Sequence, residues 1–167
     1  MSDSSIRPVR ESDHPGICEI YNHYVVTSPA TFDLEPYTLE ERRPWFDAFE
    51  TSSRYKLFVA VGADDEVRGY AGSLRFRPKA AYETTIETTV YLAPEWTGKG
   101  LGRELLQALL AALEGEDIHQ ALAGISLPNP SSIALFEAFG FERMGVFREV
   151  GRKLGRYWDV AWYEKFF

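Results

Sequence analysis

The sequence predicts a single α/β domain in which a mixed central β-sheet carries helices on both faces. Three observations support this prediction. The chain has 167 residues, which is the size of one ordinary domain. Its residues are 45% hydrophobic and 14% aromatic, enough to fill a core. Segments with strand-like and helix-like spacing follow one another in the order βααβββαβαββ, without a repeat or a linker.

The chain begins with a predicted strand and helix. Residues Ser5–Val9 are expected to form a short strand. Ser12 or Asp13 is expected to cap the first helix, and Pro15 suits its first turn. Apolar residues then recur at helical spacing until a loop with two prolines, residues 28–38.

A second helix and a β-hairpin follow this loop. Thr38 and Glu41 have the spacing of a capping box, which places the helix start. Pro44 lies early in this helix and is expected to shift its start or to kink it. Residues Tyr55–Gly62 and Val67–Pro78 are predicted strands, and the turn-forming residues between them make a hairpin.

The second half of the chain alternates between strands and helices. Residues Thr84–Leu92 are rich in β-branched side chains and predict a strand. Residues Leu101–Leu113 have an apolar face at helical spacing. The remaining predicted elements are a strand at residues 120–127, a helix with Pro130 near its start and Gly140 just past its end, and two closing strands around a turn at Gly151–Gly155.

Composition narrows the classes of partner and location. There are 25 acidic against 18 basic residues, and the formal net charge of -7 disfavours nucleic acid as a partner. The single cysteine, Cys18, excludes an internal disulfide. No signal peptide and no apolar run of membrane-spanning length is recognisable, so a soluble cytoplasmic protein is expected. The three histidines have no metal-site spacing, so no metal is expected.

Glycines occupy every second position just before and at the start of the helix that follows the strand Thr84–Leu92. Gly98, Gly100 and Gly102 alternate with Lys99 and Leu101. Glycine lets a ligand approach the backbone closely, and free amides at a helix start attract anions. This turn therefore predicts a cradle for a phosphate or pyrophosphate, although a tight strand-to-helix turn without a ligand is an alternative.

Two familiar phosphate motifs do not fit this turn. The P-loop spacing does not occur in the chain. In the dinucleotide motif a third glycine is required where this chain has Arg103, and too few βα units surround the turn for a dinucleotide-binding sheet.

Two longer motifs resemble the Gcn5-related N-acetyltransferase (GNAT) superfamily. The strand IETTVYL is followed by APEWTGKGLGRELLQALL, in which residues 97–102 align with the acetyl-CoA loop pattern [QR]-x-x-G-x-[GA]. The later segment NPSSIALFEAFGF is similar to the family pattern N-x-x-[AS]-x-x-L-[YH]-x-x-x-G-[FY]. The segments YNHYVVTSPATFDLEPYT, YAGSLRFRPKAAYETTIETTVYL and WDVAWYEKFF resemble its phosphinothricin and methionine sulfoximine acetyltransferase group.

The resemblance implies a GNAT fold, acetyl-CoA as co-substrate, no metal, and transfer of acetyl to the primary amine of a small amino acid or analogue. It also implies a homodimer. Two positions depart from the pattern: Thr97 stands where Gln or Arg is usual, and Phe136 where a tyrosine or histidine acid is usual. The residues implied to hold the cofactor are Val90, Tyr91, Leu92, Thr97, Gly98, Lys99, Gly100, Leu101, Gly102, Arg103, Asn129 and Ser132.

Glu87 is the candidate general base. Strand alternation places Glu87 with Thr89 and Tyr91 on one face, and a carboxylate within a β-branched strand is unusual because its burial is unfavourable. Partial burial would raise its pKa into a range useful for a base. A salt-bridged strand carboxylate is the alternative. The family resemblance implies that backbone N–H groups near Tyr91 stabilise the oxyanion, provided this strand splays from the next one.

Basic and aromatic residues are candidates for the acceptor site. Arg75 and Arg77 are two positions apart and are expected on one strand face, where guanidinium groups suit a carboxylate or phosphinate. The resemblance implies that Phe32 and Tyr82 border the same pocket. Exposed strand charge is the alternative for the arginines.

Two rival functions keep the same fold. The acceptor could be a protein N-terminus or a polyamine, although Arg75 and Arg77 would repel a polyamine. The chain could also be a coenzyme A sensor without catalysis. Thr97 and Phe136 are evidence for this alternative, and Glu87 is evidence against it.

Overall fold

The computed structural model describes residues 4–167, in which seven strands form one sheet. Residues 1–3, the start of the stretch in which no signal peptide is recognisable, lie outside the described residues. The order βααβββαβαββ is confirmed. The elements are β1 Ser5–Pro8, α1 His14–Thr27, α2 Leu39–Asp47, β2 Leu57–Val61, β3 Val67–Arg75, β4 Thr85–Leu92, α3 Leu101–Leu113, β5 Gln120–Ser126, α4 Pro130–Ala138, β6 Glu142–Lys153 and β7 Arg156–Phe166.

The sheet is mixed because of one crossover. Its strand order is β1-β2-β3-β4-β5-β7-β6. The β4–β5 pair is parallel and the other neighbours are antiparallel. A parallel pair needs a long connection, which α3 supplies between β4 and β5.

The two faces of the sheet bury separate apolar clusters. The leucines of α3, together with Ile86 and Phe136, fill the core on one face. Ile17 of α1 and Phe46 of α2 pack with residues of β2 and β3 on the other face. The predicted arrangement of helices on both faces of a mixed sheet is therefore confirmed.

Several predicted boundaries are corrected. The strand predicted to reach Pro78 ends at Arg75. Pro44 lies inside α2 and does not shift its start, because the Thr38–Glu41 capping box forms as predicted. The closing turn is narrower than predicted: Gly151 pairs with Trp158 within the β6–β7 ladder. Leu154 and Gly155, at φ of 52° and 76°, make the turn itself.

Asp13 occupies the predicted N-cap position of α1, but its side chain does not cap the helix. Its side chain makes no capping hydrogen bond to the helix. The carboxylate is buried and instead pairs with Arg7 at 2.7 Å and accepts the backbone N–H of Arg10 at 2.7 Å. Burial alone would raise the pKa of Asp13, but these bonds outweigh it and lower that pKa. Asp13 thus ties β1 to the start of α1.

Candidate active site

The sheet opens between its two central strands. The β4–β5 ladder has three register pairs and ends at Glu87 opposite Leu122, although both strands continue. Thr88 closes the ladder, since its Oγ1 donates to the Leu122 carbonyl at 3.0 Å. Beyond this point β4 keeps only its β3 neighbour. The expected splay is confirmed, and it leaves the backbone edge along Val90–Leu92 without a strand partner. On this stretch the Leu92 carbonyl accepts the Tyr24 hydroxyl at 2.6 Å.

The glycine turn lies directly after this open edge. Within residues 4–167, the N–H groups of residues 98–102 donate to no backbone carbonyl, whereas those of Arg103 and Glu104 both bond to the Gly100 carbonyl. Gly98 and Gly100 have φ of 71° and 87°, and an added Cβ at either would meet no described atom within 4 Å. Five successive amides therefore lack a backbone acceptor, and the turn is open at Gly98 and Gly100, as an anion cradle requires.

The side chains around the turn contribute unequally. The hydroxyl and the backbone N–H of Thr97 both donate to the Pro94 carbonyl, at 2.8 and 3.3 Å, so Thr97 keeps no donor for a phosphate. The Lys99 ammonium lies 4.5 Å from the centre of the Trp96 ring. The Arg103 guanidinium lies 5.3 Å from the centre of the Phe139 ring. Positive charge near the turn therefore comes from Lys99 and Arg103.

Asn129 caps α4, the helix after β5. Its side-chain oxygen accepts the backbone N–H of Ser132 at 3.1 Å, so the N-cap role is confirmed. Contact of either residue with coenzyme A stays a prediction.

Glu87 is half-buried at the end of the closed part of the ladder. Burial raises the pKa of its carboxyl group, as predicted. No ion pair involves Glu87 in the described part of the chain, which disfavours the salt-bridge alternative. A carboxyl group with a raised pKa beside an open strand edge has the properties of a general base.

The structure does not gather the four predicted acceptor residues into one group. Arg75 is opposite Ile86, a residue of the α3 core, so its side chain starts from the face opposite Glu87. Arg77 lies beyond β3 and contacts the rings of Phe76 and Tyr82, at 4.8 and 5.7 Å from their centres. Phe32 lies against Gly151 of β6, where an added Cβ would come within 2.3 Å of its ring.

Phe136 belongs to the core. Its side chain is 4% exposed, and its ring meets the ring of Phe141 edge-on at 5.0 Å. The core role suggested by its helical spacing is confirmed, and this position supplies no acid.

A cavity of about 310 Å³ lies on the Glu87 face of the sheet. Thr89 and Tyr91, on the same face of β4 as Glu87, form part of its wall. Sequence reasoning missed its other wall residues, which are Tyr21, Asp33, Arg42, Trp45 and Tyr70. One signal was available: Arg42 is four positions before Phe46, on the buried face of α2.

The tyrosines of this cavity are strongly desolvated. Burial, together with its hydrogen bond to Asp33, raises the pKa of Tyr21 to about 12. Burial also raises the pKa of Tyr70 and of Tyr91, whose hydroxyl donates to the Ala30 carbonyl at 2.9 Å. These hydroxyls stay protonated at neutral pH, and those of Tyr21 and Tyr91 donate hydrogen bonds.

Other site types receive no support in the described residues. No group of three or more His, Cys, Asp or Glu side chains among residues 4–167 is placed to hold a metal ion. No helix in the same range is long and apolar enough to cross a membrane.

Known proteins match the chain over nearly its whole length. The family model described as the acetyltransferase (GNAT) domain matches residues 6–162. A phosphinothricin N-acetyltransferase of Streptomyces coelicolor is 50% identical over 165 residues, covering 98% of this chain and 96% of the relative. An L-methionine sulfoximine/L-methionine sulfone acetyltransferase of Pseudomonas paraeruginosa is 39% identical over 158 residues, covering 95% of this chain and 91% of the relative.

A solved structure agrees in fold as well as in sequence. The crystal structure of a GNAT superfamily phosphinothricin acetyltransferase from Sinorhizobium meliloti, in complex with acetyl-CoA, superposes with a TM-score of 0.92. It is 34% identical, and the match covers 98% of this chain and 88% of that one. The open β4 edge, the glycine turn and these matches lead to one conclusion: the chain belongs to the GNAT acetyltransferase family.

Proposed function

We propose that this protein transfers acetyl from acetyl-CoA to the primary amine of a small amino acid or analogue, such as phosphinothricin, methionine sulfoximine or methionine sulfone. One observation carries the proposal: Glu87, with its raised pKa, lies where β4 parts from β5, on the strand that runs into five free amides. The names of the relatives supply the class of acceptor.

The chain offers a fitting site for acetyl-CoA, whose thioester supplies the acetyl group. The amides of residues 98–102 would hold its diphosphate, with Lys99 and Arg103 adding positive charge. The open edge of Val90–Leu92 would pair with the pantetheine amides in the manner of an added strand. Asn129 and Ser132, at the start of α4, would border the same groove.

Glu87 prepares the acceptor. An ammonium cannot attack a carbonyl carbon, so its proton must pass to the Glu87 carboxylate, directly or through water. The amine nitrogen then bonds to the acetyl carbon, and the carbon–sulfur bond breaks. Backbone N–H groups at the Tyr91 end of the open edge would stabilise negative charge on the carbonyl oxygen during this change.

The thiolate leaves without a side-chain acid at Phe136. A thiol has an ordinary pKa of about 8.5, so the thiolate is a competent leaving group near neutral pH. The nitrogen loses a second proton as the amide forms, and this proton, passed through water, protonates the thiolate to the thiol. Phe136 therefore does not argue for a sensor without catalysis.

An amine panel tests the function. We expect acetyl-CoA-dependent thiol release with methionine sulfone, methionine sulfoximine and phosphinothricin, and none with a polyamine or an N-terminal peptide. Binding of acetyl-CoA without turnover of any amine would identify a sensor instead.

We further propose a homodimer in the cytoplasm. The edge strand β6 and its turn expose apolar side chains, and an edge strand offers unpaired backbone groups to a second sheet. The exposed residues are Met144, Phe147, Val150 and Leu154, with Tyr157 at the start of β7 beside them. A second copy of the chain would cover them.

A further inference from the structure

Arg42 is a buried cation without an anionic partner. Its side chain is 7% exposed. Within residues 4–167 it forms no ion pair and donates no hydrogen bond, and its Nε is buried without a partner. Buried arginines are normally paired, because an unpaired charge is costly to desolvate. An exception of this kind points to a partner that comes from outside the chain.

Aromatic rings hold Arg42 in place without using its donors. The guanidinium carbon lies 3.9 Å from the centre of the Tyr21 ring and 4.3 Å from that of the Trp45 ring. Tyr37 is a third ring, at 5.2 Å. Such contacts offset the charge but provide no oxygen acceptor, so the forked N–H groups remain available.

These donors lie on the wall of the cavity that shares the Glu87 face. Tyr70 adds a second unused donor there, since its side chain is 0% exposed and its hydroxyl has no partner among the described residues. Thr89, also on the wall, is two residues from Glu87 along the same face of β4, a separation of about 6.6 Å. A ligand anion held by Arg42 would therefore lie close to the candidate base.

Asp33 limits which anion fits. Its carboxylate lines the same cavity and accepts the Tyr21 hydroxyl. A wall with one cation and one anion disfavours a purely anionic ligand and favours one that carries an ammonium beside its carboxylate. The head group of a free α-amino acid has this arrangement, with both groups on one carbon.

We infer that Arg42 binds the α-carboxylate of the amino-acid acceptor and thereby presents the α-amine to Glu87. This inference rests on the proposed acetyltransferase function and gives the anion-binding role to α2 rather than to Arg75. A guanidinium fork and a carboxylate form two parallel hydrogen bonds, so the contact sets orientation as well as affinity.

A pair of acceptors separates this role from a structural one. L-methionine sulfone and its carboxamide differ in the carboxylate alone. We expect Arg42→Met to lower kcat/KM for the sulfone about 10- to 100-fold, mainly through KM, because a charge-assisted hydrogen bond is lost. The kcat/KM for the carboxamide and the KM for acetyl-CoA should each change by less than about twofold. Arg43→Met is the matched control, since its neighbouring guanidinium is 64% exposed and should affect neither acceptor.

The outcomes are distinct. An equal loss for both acceptors, or a wild-type enzyme that acetylates both equally well, would overturn the role of Arg42 and leave the acetyltransferase function standing. Absence of turnover with every amine in the wild type would remove the function itself. If Arg42→Met does not fold, Arg42→Lys keeps the charge without the fork. It should lose about tenfold with the sulfone alone, and an unchanged preference for the carboxylate would contradict the inference.

Discussion

Glu87 is a half-buried carboxyl group whose burial suits the proposed role as a base and lowers the stability of the folded protein at neutral pH. Burial raises its pKa, and no charged partner in the described range compensates. Natural proteins keep such a group where the reaction needs a base that is matched to the working pH.

Replacing Glu87 by Gln should lower kcat by about 10²- to 10⁴-fold, the range typical of a general base. The Kd for acetyl-CoA should stay within about twofold, because the amides of the glycine turn are untouched. The wild-type rate should also fall at acidic pH as Glu87 becomes protonated, and the variant should lack this decline. Thiol-release kinetics across pH, with calorimetric titration of acetyl-CoA, provide the test. Full activity of the variant would exclude Glu87 as the base.

The same substitution should stabilise the folded protein at neutral pH. Because burial raises the Glu87 pKa on folding, the native state binds more protons than the unfolded chain between the two pKa values. Stability from this group is therefore greatest below the unfolded pKa and is lost as pH rises through the folded pKa. Calorimetry should show a higher Tm for Glu87→Gln than for wild type at pH 7, with the difference shrinking below pH 4.5, the ordinary value of the carboxyl group. A lower Tm at pH 7 would contradict this account.

Single residues show where sequence reasoning succeeds and where it stops. Strand alternation was sufficient to place Glu87 beside Thr89 and Tyr91, because a strand has a fixed period of two. The same rule did not apply to Arg75 and Arg77, since β3 ends at Arg75. The proposed role of Arg42 depends on rings from α1, α2 and the loop between them. Its helical spacing to Phe46 indicates a buried side chain but does not indicate which rings it meets.

At the scale of elements, the glycine turn and α3 form the most predictable part of the site. The helix has the predicted bounds Leu101–Leu113, because its leucines repeat at helical spacing and its start is fixed by left-handed glycines. The prediction that β4 splays from β5 came only from a family resemblance. The splay depends on where hydrogen bonds between distant segments end, which the local sequence does not specify.

Gly100→Ala tests the turn as a binding element. A Cβ at φ of 87° meets no described atom within 4 Å but strains the backbone, so the free energy of unfolding should fall by about 1–2 kcal/mol. The Kd for acetyl-CoA should rise at least about tenfold, because the new methyl group projects beside the free amides. Calorimetric titration and urea unfolding measure the two effects.

Gly115→Ala is the matched control for this turn. Gly115 has a φ of 84°, lies just past the other end of α3 and has the same open surroundings. It should show a similar loss of stability with unchanged acetyl-CoA affinity. Equal affinity losses in both variants would mean that the turn acts through helix stability alone.

At the scale of the whole molecule, the exposed edge of β6 predicts self-association. Val150→Glu places a charge among the apolar side chains of this edge, where Val150 is 54% exposed. We expect it to convert the dimer to a monomer in light scattering, with the Tm measured at low concentration unchanged. Leu39→Glu, at a 45% exposed residue of α2, should leave the dimer intact. A monomeric wild type would refute the proposed assembly.

The overall architecture was predictable because it follows from the order of elements. A parallel pair needs a long connection such as a helix, and tight turns join antiparallel strands, so the sequence of elements limits the sheet to few arrangements. Which surfaces meet a ligand or a second copy was less predictable. Those surfaces combine residues that are far apart in the chain, as Arg42 and Thr89 are.

The short β4–β5 ladder has a mechanical consequence. Three residue pairs join a four-stranded half-sheet, β1–β4, to a three-stranded one, β5–β7. We expect the two halves to be less firmly joined at this seam than elsewhere in the sheet, and a ligand inserted in the gap to restore the missing backbone hydrogen bonds. Deuterium uptake along residues 88–92 and 123–126 should then slow when acetyl-CoA is added, while the outer strands β1 and β6 change little. The coenzyme would in this sense act as a removable eighth strand. The protection of the seam from deuterium exchange would then report the fraction of protein that has acetyl-CoA bound.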